Sequence, residues 1–276
     1  MSQILIPATK EEKQATDSPG APWGLKRILT EGAHAWNVSE GTMLLIMLVP
    51  AFILLAGVVS GLMGKETYKW FTGEDRFAEN LQVLLWLTSL TLSLMVVTRK
   101  FRQGETTMAV LYLVLSVGLI FIIGEEVSWG QRIFGWVTPE SMKEINKQDE
   151  TNIHNIHGVG TTFKWLHLLI GAYGTWAPLI LMGSNIQKRV RFDLSMLIPH
   201  FTLVPFFAVP FVWRLYRNLF EAPKKYYFAI SEFSEVVEIA LAAGFTFFLL
   251  FQVRRLRLGE KLSGSTNNKE GGFLHI

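Results

Sequence analysis

Residues 42–63 read TMLLIMLVPAFILLAGVVSGLM, an apolar stretch without a charged side chain. An α-helix rises about 1.5 Å per residue, so a helix of this length crosses the roughly 30 Å of hydrocarbon in a bilayer. A single segment in hydrocarbon must satisfy its own backbone hydrogen bonds, which a helix does. The stretch does not alternate between apolar and polar residues, as a strand of a β-barrel would. It is therefore predicted to be a transmembrane helix.

Five further apolar runs are long enough to cross a bilayer. They are Leu81–Val97, Thr106–Gly124, Phe163–Met182, Leu194–Trp213 and Tyr227–Phe251. Counted after the first run, these are spans two to six. Span five contains Pro199, Pro205 and Pro210, which are expected to kink or break its helix. The chain is predicted to be an all-α integral membrane protein with a bundle of about six transmembrane helices.

The composition agrees with a membrane protein and excludes several other classes. Half of the 276 residues are hydrophobic and only 18% are charged, whereas about a quarter of the residues in a soluble domain are charged. The net charge is only +3 and the basic residues stand beside apolar runs, so no nucleic-acid partner is expected. There is no cysteine, which excludes disulfides, iron–sulfur clusters and thiolate zinc sites.

The distribution of the apolar runs divides the chain into three regions. Residues 1–40 are a polar tail with an interfacial helix predicted over Trp23–Trp36. Residues 41–257 are the six-span transmembrane domain. Residues 258–276 are a polar tail that is predicted to be disordered.

The orientation in the membrane is predicted from the basic residues, because Lys and Arg accumulate in cytoplasmic loops. Tight basic clusters without acidic residues occur at Arg99–Arg102, Lys188–Arg191 and Arg254–Arg257. In a six-span topology all three clusters fall on the side that carries the termini. Both termini are therefore predicted to be cytoplasmic.

Ionisable residues are concentrated at the opposite membrane face. An ionisable side chain at membrane depth costs about 2.5–3.5 kcal/mol on insertion scales, so such positions usually have a function. The end of span three, the loop after it, the end of span five and the start of span six all lie at this face. The residues concerned are Glu125, Glu126, Arg132, His154, His157, His167, Arg214, Arg217, Glu232, Glu235 and Glu238.

One interpretation of this cluster is a metal site. In a helix, His154 and His157 would share one face, a spacing at which two imidazoles can bind one metal ion. Glu126 and Glu235 would complete the ligands of a divalent transition metal, which would also offset the repulsion between the carboxylates. The alternative is that the two histidines are ordinary polar residues of the loop.

A second interpretation is acid–base chemistry by carboxyl groups, which burial and crowding of like charges suit to proton transfer. The catalytic residues would then be Glu125, Glu126 and Glu235. An anionic group of the substrate would be bound by Arg132, Arg214 and Arg217. The structural alternative is that the carboxylates pair with these arginines or accept hydrogen bonds that only stabilise the fold.

The loop between spans three and four, residues 125–161, is the longest between two spans. Thr138, Pro139 and Glu140 predict an N-cap, a first-turn proline and an acidic residue at a helix start. A short interfacial helix is therefore predicted over Pro139–Asn146. It would return the chain so that the histidine pair lies above the two glutamates, as a lid or wall of a polar pocket.

The same loop carries a motif in three parts. The parts are EEVSWGQRIFG at residues 125–135, TPE at residues 138–140 and ETNIHN at residues 150–155. Together they resemble the core of a family of uncharacterised bacterial multi-pass membrane proteins. The resemblance implies a bacterial origin, and hence a place in the bacterial cytoplasmic (inner) membrane.

Three functions are compatible with these observations. The first hypothesis is an intramembrane enzyme, dependent on a metal or on carboxylates, that acts on a lipid headgroup or a lipid-linked substrate at the extracytoplasmic face. The second is a transporter coupled to protons or cations, and the third is a non-catalytic membrane subunit or assembly factor. A closed polar pocket near one end of the bundle would favour the enzyme, whereas polar residues at several depths would favour transport.

Overall fold

The apolar runs are helical in the computed structural model, which describes residues 24–146, 150–153, 156–183, 186 and 193–270. Within these residues there is no β-strand, and Asn146 and Ile156 form an isolated bridge. The helices are α1 (Leu25–Trp36), α2 (Glu40–Leu62), α3 (Lys65–Thr72), α4 (Phe77–Arg102), α5 (Thr106–Glu126), α6 (Gln131–Phe134), α7 (Glu140–Lys143), α8 (Val159–Gly183), α9 (Val204–Leu219) and α10 (Tyr227–Glu270).

In the described part of the chain, six helical segments are long and apolar enough to cross a membrane. They are Glu40–Leu62, Lys65–Arg102, Thr106–Glu126, Thr162–Gly183, Leu194–Leu219 and Lys224–Gly259. Each overlaps one of the six runs predicted from the sequence. The prediction of an all-α bundle with about six membrane-spanning helices is confirmed.

The chain divides into two units, Met1–Ile46 and Met47–Ile276. The described residues of the first unit comprise α1 and the beginning of α2. An ion pair between Arg27 Nε and Glu31 Oε1 (2.7 Å) joins successive turns of α1. This helix covers most of the interfacial helix predicted for residues 23–36, and its position at a membrane interface stays a prediction.

α10 is the central helix of the second unit and packs against α4 and α9. Its side chains at Val236, Val237 and 239–243 are buried. By contrast, α5 exposes apolar side chains such as Val114 and Val117, as a helix in contact with lipid does. α10 continues to residue 270, into the tail that was predicted to be disordered.

Glycines allow α8 and α9 to come into close contact. A Cβ at Gly174 would lie 2.2 Å from Cγ of Phe207, and one at Gly171 would lie 2.8 Å from the backbone nitrogen of Phe211. Lipid tails are as apolar as the helices, so helices in a bilayer associate through close packing and hydrogen bonds. The two glycines supply the close packing here.

Polar side chains in the middle of the bundle bond to one another across helices. The hydroxyl groups of Ser89 on α4 and Thr246 on α10 lie 3.0 Å apart. Ser116 on α5 donates to the hydroxyl oxygen of Ser93 on α4 at 2.9 Å. These pairs satisfy each other and hold the three helices together.

Span five is helical over only part of its length. It begins with two 3-10 turns, Leu194–Met196 and Phe201–Leu203, and becomes α-helical at Val204. Pro199 lies between the two turns, and Pro205 lies in the first turn of α9, where its missing N–H is not needed. The predicted break is confirmed at Pro199, whereas Pro210 lies inside the continuous helix α9.

The short helix predicted over Pro139–Asn146 is present as α7, which has only four residues. Pro139 occupies the N-cap position, so the prediction of Thr138 as the cap is wrong. The physical reason is that the Thr138 hydroxyl accepts a hydrogen bond from Gln131 Nε2 at 2.7 Å and is therefore turned into the loop.

Candidate functional site

A cavity of about 680 Å³ lies at the end of the bundle where α5 and α9 end and α8 and α10 begin. Ligand sites usually occupy about 300–1,000 Å³. Its acidic lining residues are Glu74, Glu79, Glu125, Glu126, Glu150, Glu232, Glu235 and Glu238. Its basic lining residues are Lys69, Arg76, Lys164 and Arg214, accompanied by His167. The structure thus collects in one cavity most of the ionisable residues predicted to lie at one face.

Glu126 and Glu235, two of the predicted catalytic residues, face the cavity from different helices. Glu126 is the last residue of α5, and Glu235 lies in the third turn of α10. The Glu235 carboxylate accepts a hydrogen bond from Gln82 Nε2 at 3.0 Å. The Glu126 carboxylate accepts none from the described residues. Neither carboxyl group forms an ion pair with a described Lys or Arg.

Two neighbouring carboxylates of the cavity are paired with arginines. Glu79 Oε1 lies 2.6 Å from Nη1 of Arg132. Glu238 Oε1 lies 2.5 Å from Nη2 of Arg214, which also lies 3.3 Å from Nδ1 of His167. These pairs neutralise two of the negative charges beside Glu126 and Glu235.

Glu125 is buried, and both its carboxylate oxygens are engaged by the loop that follows α5. Oε1 accepts a hydrogen bond from the indole nitrogen of Trp129 at 2.6 Å. Oε2 accepts one from the backbone nitrogen of Ile153 at 2.8 Å. The side chain therefore anchors both ends of the described loop, as a structural hydrogen-bond acceptor does.

Of the three arginines predicted to bind substrate, only Arg214 lines the cavity. Arg132 bonds to Asp75, to Glu79 and to the backbone oxygen of Glu126, the last at 2.6 Å. Its guanidinium is therefore used to tie the start of α4 to the end of α5. Arg217 does not line the cavity, and its Nη1 is buried without a hydrogen-bond partner in the described part of the chain.

The predicted metal ligands are only partly described. His154 lies outside the described residues. His157 is exposed, is not part of the cavity lining, and donates a backbone hydrogen bond to Ile145 at 2.9 Å. Among the described residues, no group of three or more His, Asp or Glu side chains is arranged to hold a metal ion.

A left-handed turn follows α5, next to the cavity-lining residues Glu125 and Glu126. Ser128, Trp129 and Gly130 all have positive φ angles, of 46°, 53° and 94°. The Trp129 ring lies on Gly124, where a Cβ would come within 2.9 Å of a ring carbon. The indole bond to Glu125 holds a conformation that a tryptophan rarely adopts on its own. Glycine at position 124 is therefore needed for this turn.

Sequence reasoning missed the contribution of residues 69–79 to the cavity. Lys69 and Arg76 are exposed lining residues and form no ion pair with the described residues. Glu79 lies in the first turn of α4. The six-span topology could have predicted this contribution, because the loop between spans one and two lies at the same membrane face as the loop between spans three and four.

Comparisons with protein-family models, with curated proteins and with solved structures found no match to this chain. The resemblance of residues 125–155 to bacterial multi-pass membrane proteins therefore stays a prediction. What can be argued about function comes from the cavity and its residues.

Proposed function

We propose that the protein is an intramembrane enzyme that acts on a lipid or lipid-linked substrate with an anionic headgroup, at the extracytoplasmic end of the bundle. Glu126 and Glu235 are its proposed acid–base pair. One observation carries the proposal. These two carboxylates line the cavity without an ion pair to a described Lys or Arg, whereas Glu79 and Glu238 beside them are paired.

The proposed chemistry moves one proton at each carboxyl group. One carboxylate takes a proton from the attacking hydroxyl group, which belongs to water or to a second substrate. The other carboxyl group donates a proton to the leaving oxygen. The hydrogen bond from Gln82 orients the Glu235 carboxylate for this step. Glu125, whose oxygens are both engaged, positions the loop beside Glu126.

Lys69 and Arg76 are the proposed binding residues for the anionic headgroup. Both are exposed lining residues without an ion pair among the described residues, so their charges are available to a ligand. Arg132 and Arg214, which the sequence suggested for this role, are already bonded to carboxylates. Lys69 and Arg76 would attract the anionic headgroup of a substrate bound in the cavity. Glu126 and Glu235 would then exchange protons with the oxygens of its reacting bond.

Transport is less well supported by the same geometry. Beyond Glu238, the buried residues of α10 are apolar from position 239 to position 243. The polar side chains deeper in the bundle, such as Ser89 and Thr246, bond to each other.

A divalent transition metal is the alternative way in which Glu126 and Glu235 would act. His154, which lies outside the described residues, would then be a further ligand, whereas His157 is exposed and outside the cavity lining. The metal content of the detergent-purified wild type, His154→Ala and Glu235→Ala distinguishes a metal-dependent enzyme from one that uses carboxyl groups alone. A near-stoichiometric metal that both variants lose supports the metal site. Folded but metal-free wild-type protein supports carboxylates acting alone.

The test of the proposed function is a comparison of the lipids of bacterial cells that express the wild type, Glu126→Gln, Glu235→Gln or an empty vector. The wild type is expected to change the amount of at least one anionic or lipid-linked species, and both variants are expected to match the empty vector. Glu140→Gln, an exposed change outside the cavity, should behave as the wild type. Folded wild-type protein with no effect on lipids would contradict the proposal.

A further inference from the structure

The loop after α5 has an inverted distribution of polar and apolar side chains. Its buried side chains are polar: Ser128 and Asn152 are each 1% exposed, and Thr138 is 3% exposed. Several of its apolar side chains are exposed: Val137 is 78% exposed and Phe134 is 74% exposed. A loop in water has the opposite arrangement, because burial of apolar surface stabilises it.

The polar interior of the loop is hydrogen-bonded within itself. Ser128 donates to Glu150 at 2.9 Å. Asn146 Nδ2 donates to the side-chain oxygen of Asn152 at 3.0 Å, and Asn152 in turn bonds to Ser128 at 3.3 Å. Gln131 accepts a bond from the backbone of residue 151 at 2.7 Å. Irregular backbone survives in an apolar environment only when its polar groups are satisfied in this way.

The apolar exterior is concentrated between residues 129 and 137. Ile133 is 69% exposed, and the rings of Phe134 and Trp136 stack at 5.4 Å on the surface. Exposed apolar groups this close together mark a surface that contacts a membrane or another protein. Beyond it, α7 is polar, with Glu140 and Lys143 forming an ion pair at 2.7 Å.

The apolar surface is continuous with the lipid-facing side of α5. Val117 and Ile120 are exposed on the last turns of that helix, and Phe121 contacts Trp129 edge-on at 5.8 Å. The contact between Phe121 and Trp129 therefore connects the apolar surface of the loop to α5, whose exposed side chains at Val117 and Ile120 are apolar. This connection to a membrane-spanning helix favours lipid over another protein as its partner.

We infer that residues 129–137 insert into the bilayer leaflet next to the cavity, with their apolar side chains against acyl chains and α7 at the water interface. The insertion is a property of the loop and does not depend on the proposed reaction. Two tryptophans in this segment agree with it, because tryptophan favours the membrane interface.

The absence of cysteine in the chain makes site-specific labelling direct. Val137→Cys and Ile133→Cys report on the apolar surface. Glu140→Cys is the water-exposed control, and Val117→Cys is the lipid-exposed control. Each variant is spin-labelled in vesicles of phosphatidylethanolamine and phosphatidylglycerol, and its accessibility to oxygen and to a water-soluble nickel complex is measured.

The label at position 137 is expected to match the control at position 117, with a ratio of oxygen to nickel accessibility several-fold above that at position 140. Position 133 should agree, and it serves as the second reading if the variant at 137 fails to fold. Equal nickel access at positions 133, 137 and 140 would show a loop in water. Protection from both reagents would show a protein partner. Either of these results would overturn the inference.

Discussion

Gln82 joins α4 to the acidic cavity by donating to Glu235 twice, to the carboxylate at 3.0 Å and to the backbone oxygen at 3.2 Å. The other end of the same side chain is buried, and its Oε1 has no partner in the described residues. The amide group is thus used only for its contact with Glu235.

Gln82→Met is predicted to lower the activity on the lipid species changed by the wild type by about tenfold or more. The physical reason is the loss of the hydrogen bond that orients the buried Glu235 carboxyl group, since a buried acceptor left without a partner costs about 1–3 kcal/mol. Little stability should be lost, because Met also removes the unsatisfied oxygen. Gln252→Met is the matched control: Gln252 is also buried with an unpartnered Oε1, but it donates to Ser195, away from the cavity. Equal activity of the two variants would contradict this prediction.

Arg214→Met is predicted to destabilise the protein by about 3–5 kcal/mol, because it leaves Glu238 charged and partly buried without its partner. The thermal midpoint of the detergent-purified protein measures this. The double variant Arg214→Met/Glu238→Leu should recover much of the loss, because both charges are gone. Additive effects of the two single changes would show that the pair does not stabilise the fold.

Gly124→Ala is predicted to lower the thermal midpoint, by a destabilisation of about 1–3 kcal/mol, because the new methyl group would overlap the Trp129 ring. Gly118 lies on the same helix, and a Cβ there would meet nothing within 4 Å. Gly118→Ala is therefore the control, and it should be neutral or slightly stabilising. Equal midpoints for the two variants would contradict the packing of Trp129 on Gly124.

A pH effect is predicted at the opposite end of the bundle. Burial of Asp193 raises its pKa, but hydrogen bonds from Ser195 and Arg255 outweigh this and hold the pKa of the carboxyl group below its ordinary value of 3.8. A carboxyl group with a lowered folded-state pKa stabilises the fold above its unfolded-state value, and this contribution is lost as the pH falls through the folded-state pKa. The wild type should therefore be more stable than Asp193→Asn at pH 7, and the difference should shrink below about pH 4. A difference that does not change with pH would contradict this prediction.

The membrane-spanning fold could be predicted from the sequence because each span is recognisable from its own run of apolar residues. Twenty apolar residues in a row have few alternatives to a helix in lipid. The break in span five was predicted for a similar reason, since a proline such as Pro199 constrains its own backbone. The N-cap of α7 was not predicted, because it depends on where the Thr138 hydroxyl points, and the hydrogen bond from Gln131 decides that.

The candidate site was predictable as a region, and the partners of its residues were not. Glu126 and Glu235 stood out because carboxylates near spans are costly. Arg132 bonds to Glu79, which lies 53 positions away in the chain. No local sequence pattern predicts such a tertiary contact. The same is true of Gln82, whose role appears only once α4 lies against α10.

The continuity of α10 has a structural consequence. The helix has no proline between Tyr227 and Glu270, and it carries Glu235 near one end and Arg255 some twenty residues, roughly 30 Å, further along. Arg255 bonds to Asp193 and Ser195. α10 is therefore one unbroken helical connection between the cavity at Glu235 and the Asp193 contact at the opposite end of the bundle.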